Sequence, residues 1–180
     1  NGMRILLVNP NSTASMTEKM ADAAREVAAP GTTIIAATVQ NAPASIESRS
    51  DESRALPGLL DTVLAESTSN IDATVVACFD DPGINALREL TNGPVVGICE
   101  AACQAASVLA SRFSVVATVP RAVNVIAENL LRYGLDRKCQ SIRSAQIPVL
   151  SLETSNAHAS DRIRAEIRIA VEKDGAEAIV

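Results

Sequence analysis

The sequence predicts an α/β protein: parallel sheets flanked by helices, in two pseudo-symmetric lobes with the active site in the cleft between them. Three observations carry this. Strand-like and helix-like segments alternate along the whole chain, an order that calls for a parallel sheet with crossover helices. The strand candidates are continuous apolar runs, as in Arg4-Ile-Leu-Leu-Val8, the mark of strands buried on both faces. The second half also echoes the first. Arg4-Ile-Leu-Leu-Val-Asn-Pro-Asn11 and Phe113-Ser-Val-Val-Ala-Thr-Val-Pro120 are both strand, polar turn with proline, then helix, and Ala73–Cys78 echoes Ala176–Val180. Lobes are expected over 3–98 and 99–180; one compact domain of 180 residues is the alternative that length leaves open.

The first strand stops at Asn9-Pro-Asn-Ser-Thr13, a turn followed by helix-capping residue types. A helix follows, with Met16, Met20, Ala23 and Val27 on its expected inner face, ended by Pro30-Gly31. Thr33–Val39 is a β-branched strand, and Asn41–Ser50 a polar loop. Asp51–Ala65 reads as a helix burying Leu56, Leu59, Leu60 and Val63. Ala73–Ala77 is a strand with Cys78 at its end, Gly83–Leu90 a short helix, and Pro94–Ile98 a fourth strand after the Asn92-Gly93 turn. Glu100–Ala110 is an alanine-rich helix, Phe113–Thr118 a strand and Val123–Tyr133 a helix ended by Gly134. Ile142–Leu150 is expected to be extended, Asp161–Glu172 helical, and Ala176–Val180 a last strand. A chain that ends on a strand with nothing closing it is expected to continue in the natural protein. Asn1-Gly2, ahead of Met3, reads as an addition to the natural start.

Composition narrows the function. The net charge is −5 and no basic stripe is present, which argues against nucleic acid, because phosphate neutralisation supplies most of that affinity. Phe79, Phe113 and Tyr133 are the only aromatic residues, too few for base stacking. No apolar run reaches membrane-spanning length and no signal peptide is visible, so no membrane partner and a cytoplasmic location are expected. His158, in a loop-like stretch and expected to be exposed, is the only histidine. That excludes a histidine-rich metal site.

Among candidates for chemistry, Cys78 stands where a strand meets a loop just before a helix, in Ala77-Cys-Phe-Asp-Asp-Pro-Gly83. A nearby helix N-terminus favours a thiolate, whereas Asp80 and Asp81 oppose it; a small buried core cysteine is the other reading. Cys99 and Cys103 are four apart, hence on one helix face, and read as packing. Cys139, after a charged stretch, reads as a surface or loop residue. Four cysteines without a secretory segment read as reduced thiols. Asn9–Thr13 offers amides and hydroxyls for an anion or enolate oxygen, or simply caps its helix, and Thr118–Arg121 takes the matching place in the second half.

Taken together, Val8-Asn-Pro-Asn-Ser-Thr13, Pro43-Ala-Ser-Ile-Glu47, Ala77-Cys-Phe-Asp-Asp-Pro-Gly83 and Pro94-Val-Val-Gly-Ile98 resemble the hydantoin racemase family. That family lies within the aspartate/glutamate racemase superfamily and includes allantoin racemases. The likeness runs in order along the whole chain. It implies a racemase that needs no cofactor and no metal, acts on a 5-monosubstituted hydantoin or on allantoin, and assembles as a homo-oligomer. One cysteine thiolate removes the C5 proton and a second thiol returns one to the opposite face. A thiol with a pKa of about 8.5 can serve as both base and acid.

By this resemblance Cys78 is one of the two bases. Asn9, Pro10 and Asn11 with Thr118, Val119, Pro120 and Arg121 wall the pocket and supply amide donors. Ser45 and Ile46 match a substrate-side loop, and Phe79, Asp81, Pro82 and Gly83 the segment after the cysteine. The family's second cysteine follows a strand like Ala176–Val180, where this sequence stops; Cys99, Cys103 and Cys139 do not match it. Alternatives are a relative acting on an acidic amino acid or maleate, and a non-catalytic binding protein that kept the fold.

Overall fold

The computed structural model describes residues 2–154 and 156–180; Asn1, and Ser155 at the start of the stretch around His158, lie outside them. The chain divides into two compact units, 1–98 and 99–180. Among the described residues no helix is long and apolar enough to cross a membrane.

The first unit runs β1 (Arg4–Asn9), α1 (Ala14–Val27), β2 (Thr33–Thr38), α2 (Arg49–Ser67), β3 (Ala73–Val76), α3 (Ile84–Leu90) and β4 (Val95–Gly97). Its sheet is parallel, in the order β2-β1-β3-β4. Val8 pairs with Ala37 on one side and with Val76 on the other. Leu6, Val8, Val39, Leu59, Val63, Val76, Ile84 and Leu87 form the core between sheet and helices. Each of these aliphatic side chains contributes on the order of 1.5–3 kcal/mol by leaving water. Strand order reverses between β1 and β3, and open α/β sheets bind ligands beyond the carboxyl ends of strands at such a reversal. Asn9 and Cys78 leave the sheet at that point.

The second unit runs α4 (Ile98–Leu109, starting one residue before the division), β5 (Phe113–Ala117), α5 (Ala122–Tyr133), β6 (Cys139–Ser144), α6 (Ala157–Glu172) and β7 (Ala178–Ile179). Its parallel sheet has the order β6-β5-β7. The echo seen in the sequence therefore has a topological counterpart: β5 is flanked by β6 and β7 as β1 is by β2 and β3. Val180 extends the last pairing, its N–H donating to Ser114 O (2.9 Å).

Several expectations are corrected. On α1 the inner face is Thr17 and Ala21, not the line through Ala23 and Val27; Val27 is 85 % exposed. A threonine at the core was invisible to a hydrophobic pattern, and it is held there by hydroxyl bonding to Thr38 Oγ1 (2.7 Å). In α2, Leu59 and Val63 are fully buried whereas Leu56 and Leu60 are partly so. The stretch Ile142–Leu150 is not one extended segment. The strand starts earlier, at Cys139, and ends at Ser144, where the Ser144 hydroxyl accepts from Gln146 N–H (3.1 Å) and Gln146 takes a left-handed backbone. After Pro148, Val149–Leu152 is a turn of 3₁₀ helix. Cys139 is accordingly a half-buried strand residue, its thiol pushed up to about 11 first by burial, rather than a surface one. The last helix begins four residues early because the Asn156 side chain accepts from Ala159 N–H (3.2 Å), a cap of the usual kind. His158 is exposed, but in the first turn of that helix and not in a loop.

Candidate functional site at the carboxyl edge of the first sheet

The loop after β1 is organised by two buried asparagines. Asn9 is wholly shielded from solvent. Its Nδ2 donates to Asn11 Oδ1 (2.8 Å), Thr17 Oγ1 (3.0 Å) and Thr13 O (3.3 Å), while its Oδ1 accepts from Asn11 N–H (3.2 Å). Asn11 Oδ1 also accepts from Thr13 N–H (2.9 Å). Side chains bonding their own backbone two residues on is the Asx-turn habit of asparagine. Pro10, between them, is buried and has no N–H. Ser12 N–H donates to Pro43 O (3.0 Å) and Thr13 Oγ1 to Ala44 O (2.7 Å), which draws the loop after β2 onto this one. The backbone N–H groups of Asn11, Ser12 and Thr13 are all engaged within the protein, which leaves the Asn11 side chain as the amide of this loop to consider as a donor. The Asn11 amino group donates to a weak acceptor, Met16 Sδ (3.6 Å).

The loop after β2 brings Ser45 and Ile46 to the same edge. Ile46 is buried, and the Ser45 hydroxyl donates to Glu47 Oε1 (3.3 Å). Ser48 then caps α2: its hydroxyl accepts from Asp51 N–H (3.2 Å) and donates to Asp51 Oδ2 (2.8 Å), which also accepts from Glu47 N–H (3.2 Å). This reciprocal cap fixes where the first turn of α2, with Arg49 and Glu52, meets the sheet edge.

Cys78 follows the end of β3 after one intervening residue, Ala77. The ladder holds its predecessor through Ala77 N–H to Val8 O (2.9 Å), and Asp81 N–H donates to Cys78 O (3.0 Å) to close a turn. Phe79 is half-buried and Pro82 buried. Asp80 is 8 % and Asp81 2 % exposed. Asp81 takes a left-handed backbone (φ 49°), and so does Gly83 (φ 69°), the residue before α3. A Cβ at Gly83 would lie 2.7 Å from Leu56 Cδ1, so glycine serves both the turn and the close packing on α2.

Of the influences anticipated on this thiol, the carboxylates act as expected and burial adds to them. Burial pushes the Cys78 thiol well above the usual cysteine range, and the carboxylates of Asp80, Asp81 and Glu52 push it further; the Asp80 backbone N–H, bonded to the thiol, opposes them. Asp80 is itself pushed up to about 6, first by burial, then by Glu52 and Asp81, with Arg49 opposing. With its pKa raised, the cysteine at rest is a thiol, a proton donor. Glu52 and Arg49 were missed from the sequence, where they lie 26 and 29 residues before the cysteine; only the packing of α2 brings their charges to bear.

Thr118, Val119, Pro120 and Arg121 lie in the second unit, at the carboxyl end of β5, the place in that sheet that Asn9–Thr13 holds in its own. Thr118 O accepts from the Ser144 hydroxyl (3.1 Å) and Ile147 N–H (3.0 Å). Val119 is buried; Pro120 and Arg121 are exposed. Cys99 and Cys103, side by side on α4, are fully buried.

The chain from residue 5 to 180 matches the family model described as Asp/Glu/Hydantoin racemase. A hydantoin racemase of Rhizobium meliloti is 45% identical over 178 residues, covering 99% of this chain and 74% of that protein. One from Pseudomonas sp. (strain NS671) is 39% identical, covering 99% and 72%. The solved structure of an allantoin racemase from Klebsiella pneumoniae superposes with a TM-score of 0.96 at 40% identity, covering 99% of this chain and 73% of that one.

Proposed function

From a chain that belongs to the Asp/Glu/hydantoin racemase family, we propose a racemase whose substrate is a 5-monosubstituted hydantoin or allantoin and whose C5 proton passes through Cys78. The observation that carries the substrate class is the charge around the thiol. Asp80, Asp81 and Glu52 all act on Cys78. A dicarboxylate such as aspartate, glutamate or maleate brought to that thiol meets like charge in a poorly screened site. A hydantoin ring is neutral, and its ring N–H groups are donors suited to carboxylates.

The ring C5–H lies between a carbonyl and a nitrogen. When Cys78 acts as base, its thiolate takes the C5 proton and the electron pair of the broken C–H bond moves onto the carbonyl oxygen as an enolate. Inversion then requires a second acid on the opposite face, the place the family's second cysteine takes; without it C5 regains its proton from Cys78 on the same face and only exchange results. In the reverse direction Cys78 enters as the thiol and gives its proton, the state its surroundings favour. When the sulfur is charged the Asp80 N–H donates to it, partly offsetting the carboxylates, and the Asn11 amino group, bonded only to a weak acceptor in the bonds described above, is the donor we assign to the substrate carbonyl. Cys99 and Cys103 are not the second acid, since neither has surface to offer a substrate.

Racemisation of both enantiomers of allantoin and of a 5-alkylhydantoin, followed by circular dichroism beside L- and D-aspartate and glutamate, tests the substrate class. Loss of optical activity for the hydantoins alone is expected; turnover of the acidic amino acids and not of the rings would overturn it.

A further inference from the structure

We infer that Gly97, at the carboxyl end of β4, is a positioning residue for Cys78: the space its missing side chain leaves is where the Asp81 carboxylate lies, and Asp81 closes the turn that carries the thiol. Gly97 is buried in the register of Val76, the strand residue two before Cys78. A Cβ built on Gly97 would overlap all three carboxyl atoms of Asp81. Asp81 has little room to yield. It is 2 % exposed, its backbone is already left-handed, and its N–H is committed to Cys78 O at 3.0 Å. A short side chain on a buried, left-handed backbone cannot swing clear as the tip of a lysine can. A methyl group at 97 therefore shifts the turn from Cys78 to Asp81, not merely a side chain.

The other glycine flanking β4 supplies the control. At Gly93, at the amino end of the strand, a Cβ would lie 2.6 Å from Asp72 O. Gly93→Ala thus stresses the same sheet at the edge remote from Cys78.

The reading of Cys78 as the acid–base group is deepened here but not assumed, because the readout is the thiol itself without substrate. Alkylation of Cys78 by iodoacetamide is followed by peptide mass spectrometry across pH, at matched folded fraction by circular dichroism. The charged groups acting on the thiol are Asp80 and Asp81 from its own loop and Glu52 from α2, with Arg49 acting on Asp80. Gly97→Ala is expected to change the Cys78 alkylation rate by about tenfold, the equivalent of one unit in thiol pKa, while Gly93→Ala leaves it within about twofold. Glycine at 81 removes the obstructing carboxylate and suits the left-handed backbone. In an Asp81→Gly background the Gly97→Ala change is therefore expected to vanish, a coupling that a double-mutant cycle reads directly. A Gly97→Ala chain that fails to fold alone but folds together with Asp81→Gly supports the same conclusion. An alkylation rate unchanged by Gly97→Ala overturns it, as does an equal change in both backgrounds, or a double variant that does not fold.

Discussion

The loops after β1 and β3 leave neighbouring strands at the same sheet edge, yet they are held by different means. Asn9–Thr13 is bound by side-chain amides that bond its own backbone and the hydroxyl of Thr17. Cys78–Gly83 has two left-handed residues, approaches Leu56 and Gly97 too closely to admit a side chain at 83 or 97, and gathers carboxylates near a thiol. The first arrangement spends its polar groups on rigidity. The second gathers buried carboxylates that perturb two titrating groups, Cys78 and Asp80, a pattern that clusters at functional sites. Asn9 and Asn11 thus differ: the Asn9 side chain is engaged on every side within the protein, whereas the Asn11 amino group meets Met16 Sδ, a weak acceptor.

The largest effect expected is on activity. Cys78→Ser, with a hydroxyl far too weakly acidic to act as the base, should lower hydantoin racemisation by about a thousandfold, in the range of a lost general base. Its urea midpoint should barely move. Asn9→Ala should do the reverse. Thr17 keeps Thr38, but removing the amide that bonds Thr17 Oγ1, Asn11 Oδ1 and the Asn11 N–H should still cost about 1–3 kcal/mol in urea denaturation. A stable Asn9→Ala chain would erase the distinction between the loops.

Asp80 sharpens the comparison through pH. Its pKa rises from 3.8 to about 6 in the folded chain, so between these values the native state binds the proton that the unfolded state has lost. Stability therefore falls as pH rises from about 4 to about 6, by on the order of 2–3 kcal/mol. Asp80→Asn should remove that slope in thermal unfolding and move the Cys78 alkylation profile to lower pH. The smallest effect belongs to Thr13→Ala, which removes one exposed hydroxyl bond to Ala44 O and should cost about 0.5–1 kcal/mol.

Much of this was legible in the sequence for a physical reason: strands buried on both faces are written as apolar runs, so β1, β3 and β5 were placed to within a residue or two. The start of β6 was not, because an edge strand needs no apolar run. Cys139-Gln-Ser-Ile-Arg-Ser144 instead carries a polar network in which Arg143 bonds Glu166 (2.7 Å) and Asp174 (2.9 Å) and Ser141 bonds Asp174 (2.6 Å). The cysteine segment was found as a motif, but the state of its thiol was not. That state depends on Glu52, which the topology of α2 supplies, and on Asp80, whose burial no local pattern reports. Gly97 read as a strand residue, and its value appears only when the Asp81 carboxylate is seen filling the gap.

Proton NMR in heavy water tests most directly whether Cys78 handles the C5 proton. The C5–H signal of each enantiomer of allantoin and of a 5-alkylhydantoin would be followed with the intact chain and with Cys78→Ser, against a protein-free control for spontaneous exchange. Loss of the signal for at least one enantiomer with the intact chain, reduced to the control rate by Cys78→Ser, is the predicted result. Exchange that persists undiminished in Cys78→Ser, or no exchange above the control with the intact chain, would contradict it.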